Sequence, residues 1–212
     1  MRTARENPVA ERILDIAERL AQTRGFNGFS YADIAEELSV TKASLHYHFP
    51  SKSELGRALL VRYQLVFGRA LEAIDAEAGT AVEKLQRYIA LYDSVMRDDR
   101  MCLCGMFAAE YATLPEPMQE ELRHFFDANE QWLTRVIGEG KRTGELSLWD
   151  SSEERARLFL GALEGAMLVA RSYKDDRRFR RAAEHLLADL QTASRSPTLR
   201  RKARATRSRR RT

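Results

Sequence analysis

The chain has 212 residues, 44% of them hydrophobic and 31% charged, with a net charge of +4. That is enough for a real core, or for a small head on a larger body, and no apolar run reaches the ~18 residues needed to span a bilayer. Met1 to Gln22 is amphipathic and charge-laced rather than a secretory signal, and Cys102 and Cys104 sit too close to staple a fold, so a reducing, cytoplasmic setting without membrane partners is expected.

Helix signals run the length of the chain. Val9, Ile13, Ile16, Ala17, Leu20 and Ala21 recur at helical spacing, and Gly25 follows as a C′ residue. Ser30 opens a second helix with Asp33 as its acidic N3 partner, and Ile34, Ala35 and Leu38 form the inner face. Ser39 and Val40 make a turn, Thr41 caps a third short helix, and Pro50 stops it after Phe49, which is assigned to the core. Ser51 and Glu54 form a capping box that opens a fourth helix to about Ala76. Further helices are predicted at about Thr80–Arg97, Leu103–Thr113, Pro117–Arg142, Ser152–Tyr173 and Asp176–Thr192. Period-2 alternation of β-branched residues is missing, so the expected fold is all-α.

The informative stretch is Phe29 to Leu55. Two short helices joined by about three residues need a small residue where they cross and apolar residues to lock the corner. Ala35 supplies the first; Ile34, Leu38, Val40 and Leu45 supply the second. With Leu45 pinned inward, Lys42, Ala43, His46 and Tyr47 occupy other faces of the third helix, a set that suits a DNA major groove. Residues 41 to 53 contain no carboxylate, although residues 1 to 62 carry nine Lys/Arg against eight Asp/Glu. A near-neutral head predicts modest affinity per monomer and dependence on dimerisation, with Arg2 and Arg5 as an added basic arm.

From Glu11 to Leu60 the chain resembles the TetR family of repressors. The resemblance rests on the Gly25-Phe26 pair after the first helix, the Tyr47-His48-Phe49 cluster, and the Ser51-Lys52 start of the fourth helix. It implies an N-terminal three-helix helix-turn-helix domain and a C-terminal helical domain for effector binding and dimerisation. Lys42 and Ala43 then touch bases, while Ser30, Thr41, Ser44, His46, Tyr47, His48 and Lys52 hold phosphate or sugar. Lys52 also has its own rationale, a cation beside the N–H groups of a helix N-terminus.

The expected division is a head over 1–62, a body over 63–194 and a basic, disordered tail over 195–212. In the body, Ala156, Phe159, Leu160, Leu163 and Met167 form one stripe, and Phe179, Ala183, Leu186 and Leu190 another. Phe159, Leu163, Met167, Phe179, Leu186 and Leu190 are assigned to a four-helix dimer interface, as in the family; the competing reading buries both stripes within one subunit. The centre is rich in soft and aromatic residues, of which Met96, Cys104, Met106, Phe107, Tyr111, Phe126 and Trp132 are the candidate effector pocket, against ordinary core.

The Cys-x-Cys pair admits three readings. A metal site lacks further ligands nearby; a thiol sensor of electrophiles or oxidants fits Cys104 near a helix start; buried, inert cysteine leads. The tail, 195 to 212, holds nine Lys/Arg and no acid, which leaves 26 basic against 31 acidic residues elsewhere. Such a tail is either a solvated terminus or a source of phosphate contacts. The chain has no Gly-rich phosphate loop, nucleophile elbow or zinc-protease helix, so no catalytic residue, metal or cofactor is assigned. The expected function is a repressor that grips palindromic operator DNA as a homodimer and is released by a small-molecule effector. The alternatives are a repressor that senses through Cys104 or Cys102, and a helical adaptor that does not bind DNA.

Overall fold

Residues 8–192 are described by a computed structural model, and they form nine α-helices and one short 3₁₀ turn with no strand among them. The Arg2 and Arg5 arm and the 195–212 tail lie outside the described residues. The elements are α1 (Pro8–Arg24), α2 (Tyr31–Leu38), α3 (Lys42–His48), α4 (Lys52–Glu77), α5 (Ala81–Met96), α6 (Leu103–Ala109), the 3₁₀ turn (Tyr111–Thr113), α7 (Glu116–Thr143), α8 (Ser152–Ser172) and α9 (Arg177–Thr192). The fold is all-α, a three-helix head leading through α4 into a helical body.

Local chemistry sets the ends of these helices. Ser30 and Asp33 close a capping box on α2, and Ser51 with Glu54 and Ser151 with Glu154 do the same on α4 and α8, each satisfying N–H groups that the first turn leaves open. Thr41 caps α3 by accepting from the Ser44 N–H at 3.3 Å. Gly25 ends α1 with φ +83, and a Cβ there would stand only 2.7 Å from the Glu110 carboxylate, so the glycine leaves that group its room. The helix predicted over Leu103–Thr113 instead breaks at Ala109, and Glu110 turns its carboxylate onto the N–H groups of Phe26 at 2.6 Å and Asn27 at 3.2 Å.

In the head, Ile13, Ala17 and Leu20 of α1, Ile34 of α2, Leu45 of α3 and Leu55 and Leu59 of α4 are all buried in one core, with α1 packed on α2 and α4, and α2 on α3. The body packs α7 against α4 and α8, and α8 against α9. Here one expectation is corrected. Phe159, Leu163, Met167, Phe179 and Leu190 lie fully inside their own subunit, and Leu186 is half-buried. The stripes close the subunit's core. Apolar spacing marks a face for burial but does not say against what.

Asp93 staples α5 to α9, accepting from Arg180 at 2.7 Å and from Arg97 at 2.8 Å. Burial opposes its ionisation, but the two guanidinium groups outweigh it and hold the carboxyl below its usual range. A folded pKa held below the unfolded value means the stabilisation is complete above about pH 4 and fades as pH falls through the folded value. Asp93→Asn is therefore expected to cost about 1 kcal/mol near pH 6, discounted for the half-exposed arginines, and almost nothing near pH 2. Urea unfolding at the two pH values checks this, and an equal cost at both would refute it.

Candidate nucleic-acid interface

Helix α3 projects from the head because Leu45, at 0% exposure, is its only buried residue. Leu45 anchors α3 in the core beside α2, which buries the small Ala35 there. Thr41, Lys42, Ala43, His46 and Tyr47 are exposed, and Ser44 and His48 are half-buried. Tyr47 is 83% exposed and meets the His48 ring edge-on at 5.2 Å. His46 is fixed by its Nδ1 against the Pro50 carbonyl at 3.1 Å and by the Tyr31 ring at 4.7 Å. Phe49 is core, and its carbonyl accepts from the Tyr31 hydroxyl at 2.7 Å.

The head's acids are answered elsewhere. Arg62 on α4 pairs with Asp15 and Glu18 at 2.7 Å each and with Glu11 at 3.4 Å; Arg24 pairs with Asp33, and Arg19 with Glu37. The α3 face keeps Lys42 without a neighbouring carboxylate in sequence, which leaves it locally positive.

Two expected phosphate ligands have structural work of their own. The Ser30 hydroxyl accepts from the Ala32 N–H at 3.2 Å and donates to Asp33 at 2.6 Å. Lys52 turns its ammonium inward: it donates to the Phe29 carbonyl and lies over the rings of Phe26 and Phe29 at 4.7 and 4.5 Å. Burial pushes this ammonium below its usual range, against the pull of Glu110 and Asp33.

In the body, a cavity of about 440 Å³ opens between α6, α7 and α8. Of the expected pocket residues, Phe126 borders it. Met96, Cys104, Phe107 and Trp132 are core; Met106 lies beside the Arg171 guanidinium at 3.3 Å; Tyr111 is exposed, its hydroxyl accepting from Arg123 at 2.6 Å. The sequence reading passed over Glu164 and Gly105, which do line the cavity. A lone acid on the otherwise buried stripe of α8 was the available signal.

Behind that wall lies a buried polar line. Asn129 accepts from the Tyr88 hydroxyl at 2.9 Å, the hydroxyls of Tyr88 and Tyr92 meet at 3.2 Å, and Tyr63 donates to Cys102 Sγ at 3.8 Å. Both cysteines are free and buried. Burial disfavours the Cys102 thiolate, but the polar neighbours Cys104, the Gly105 N–H, Glu164 and Tyr63 outweigh it and bring the thiol down to about 6. Burial instead pushes Cys104 and Glu164 well up. The acidic thiol is thus Cys102, at the N-cap position of α6, and not Cys104 in its first turn.

A projecting helix-turn-helix on a helical, cavity-bearing body defines a DNA-binding regulator. Residues 13–59 match the family model of bacterial regulatory proteins of the tetR family, and residues 81–186 match that of the tetracyclin repressor-like C-terminal domain. A TetR-family transcriptional regulator from Agrobacterium tumefaciens is 32% identical, with a TM-score of 0.84 over 88% of this chain and 100% of that one. A TetR regulator from Legionella pneumophila is also 32% identical, with a TM-score of 0.78 over 87% and 98%. The transcriptional regulator LmrA of Bacillus subtilis is 27% identical over 78% of this chain and 87% of its own. The chain belongs to the tetR family of bacterial regulatory proteins, and it is a transcriptional regulator.

Proposed function

We propose that this regulator is a repressor that binds a palindromic operator as a homodimer and is released by a small-molecule effector, working in the cytoplasm without catalytic chemistry of its own. Its head, residues 1–62, grips DNA; its body, residues 63–194, binds effector and partner. One observation carries the reading: α3 holds a large aromatic side chain, Tyr47, 83% exposed, and an exposed Lys42 on a helix pinned by Leu45. An exposed tyrosine on a rigid helix gains nothing from folding, whereas a phosphate beside it would gain a hydroxyl donor. Lys42 and Ala43 face base edges in this reading. Thr41, Ser44, His46, Tyr47 and His48 hold the backbone, while Ser30 and Lys52 brace the head and meet phosphate only with donors left over.

Pairing draws on a different face of α8 from the one first expected. Leu158, Leu168, Val169 and Tyr173 are exposed there, and nothing lies near Gly161 and Gly165. Two such faces crossing closely would set the reading helices one turn apart, about 34–36 Å. The test is a gel shift and footprint on the DNA upstream of the chain's own gene. A two-fold symmetric protected site is expected; absence of any sequence-specific shift there and beside the neighbouring genes would sink the reading.

Release has a route to the head. Arg171 on α8 donates to the carbonyls of Gln22 and Thr23 at the end of α1, the Met101 N–H reaches Gln22 at 3.2 Å, and Glu110 holds Phe26 and Asn27. The helices around the cavity thus also grip the α1–α2 corner, beside the lever of α4. Glu110→Ala leaves two N–H groups unanswered and is expected to cost about 1–3 kcal/mol of stability and to weaken the response to effector. An unchanged release curve in this variant would remove the corner from the coupling.

A second reading, release by alkylation of a thiol, gains support from Cys102, whose thiol sits near 6. The thiolate would attack an electrophilic carbon to form a thioether. Treatment with N-ethylmaleimide should then place an adduct on Cys102 and abolish the shift, and Cys102→Ala should shift DNA whether treated or not.

A further inference from the structure

Glu164 is a buried acid that its own subunit leaves short of a close hydrogen bond and of any cation. Both carboxyl oxygens are shielded from solvent, and no donor among the described residues reaches either at normal hydrogen-bond distance, although the Tyr92 hydroxyl and the Cys102 thiol face the group. An unanswered carboxyl is costly to hide, so a native structure that keeps one has a reason outside the subunit's own bonding. The acid lies where a ligand could supply that partner. It borders the 440 Å³ cavity, whose other walls include Ala108, Phe126 and Leu160 and whose edge at Gly161, Gly165 and Leu168 adjoins the α8 face proposed for pairing. Position 105 has no side chain, and a Cβ there would collide with Glu164 Oε2. A glycine therefore preserves the seat of the carboxyl.

The charge around the cavity points to a cation. At the rim Arg157 is matched by Glu130 at 3.2 Å and Glu153 at 2.6 Å, so its guanidinium is already occupied. The polar groups facing Glu164 from α5 and α6 are the Tyr92 hydroxyl and the Cys102 thiol, with Tyr88 beyond them, and none is a cation. Burial holds the Glu164 carboxyl well above its usual range, and a cation brought beside it favours the ionised form. A carboxyl in apolar walls that include the Phe126 ring is therefore suited to a charged N–H donor.

We propose that the cavity binds a small protonated primary or secondary amine with a compact apolar body, its N–H donating to the Glu164 carboxylate. The N–H matters as much as the charge, since a fully methylated ammonium cannot fill the lone pairs. That such binding would release operator DNA rests on the function proposed above; the binding itself does not.

Calorimetry on the full chain without DNA tests the proposal. The probes are n-butylamine, cyclohexylamine and phenethylamine, each against the alcohol of the same shape and against its N-trimethylated form. At least one amine should bind tenfold or more tighter than both counterparts. Glu164→Gln, of equal size, should erase that preference, and Gly105→Ala, by displacing the carboxyl, should reduce it. Equal affinities for amine and alcohol, a trimethylated form that binds as well, or a preference surviving in E164Q would each overturn the proposal. The comparison among ligands is read on the unaltered protein, so it stands even where a variant fails to fold. Amines that bind as stated but leave the operator shift unchanged would uphold the site and remove effector release.

Discussion

Tyr47→Ala is expected to abolish the operator shift while leaving the protein as stable as before. The side chain is so exposed that folding gains little from it, and surface replacements of this kind fall within about 0.5 kcal/mol. For a chain of this size that is at most about 2 °C in the thermal midpoint. The loss on DNA is of another order. A groove or phosphate contact contributes about 1–3 kcal/mol per subunit, and a two-fold dimer loses it twice, which is roughly thirtyfold at the low end. Leu45→Ala makes the contrast. It empties a fully buried position and should cost about 2–5 kcal/mol of stability, losing DNA binding through the collapse of the head. A Tyr47→Ala protein that melts early, or one that shifts DNA as well as the parent, would dismiss α3 as the reading helix.

The second large effect concerns the outward face of α8. Val169→Glu should convert the proposed dimer to a monomer of nearly unchanged fold, since Val169 is 52% exposed within the subunit. In a paired arrangement two carboxylates would meet in an apolar seam, where like charge and desolvation act together. Sedimentation at about 10 μM should show half the mass, and operator affinity should drop by a hundredfold or more, because joined half-sites lose their effective concentration. Phe159→Ala is expected to behave oppositely. That ring is 1% exposed inside the core, so its removal should cost about 3–5 kcal/mol of subunit stability. A Val169→Glu protein that stays dimeric would move the pairing surface away from α8.

Much of the head was legible because its signals are local. A serine followed three residues later by an acid, at Ser30 and Asp33 and again at Ser51 and Glu54, is a complete instruction: the hydroxyl and the carboxylate satisfy one another's backbone donors within a single turn. The inward turn of Leu45 and the exposure of Tyr47 follow from helical periodicity alone. Lys52 shows where this stops. Its place at a helix start suggests a phosphate ligand, but Phe29 is 23 residues away in sequence, and only the folded head brings that carbonyl and two rings under the ammonium.

The body was legible as helices and opaque as a site. Helix α8 carries two apolar faces, and a stripe such as Phe159, Leu163 and Met167 looks the same in sequence whether it meets its own α7 or a second subunit. The soft, aromatic centre mostly fills the core, and Phe126 alone of the expected pocket residues borders the cavity between α6, α7 and α8, because a cavity is where side chains fail to meet. Gly105 and Glu164 lie 59 residues apart, so no local pattern pairs them.

What the sequence determined by itself is most of the helices, the caps within the head and the family's helix-turn-helix, since each depends on interactions within a few residues. Which face of α8 turns inward, where the ammonium of Lys52 points, and that a hidden carboxyl borders an open cavity were decided only when distant segments packed. Burial and bonding across helices are properties of the assembled chain, and periodicity carries no record of which neighbour supplies them.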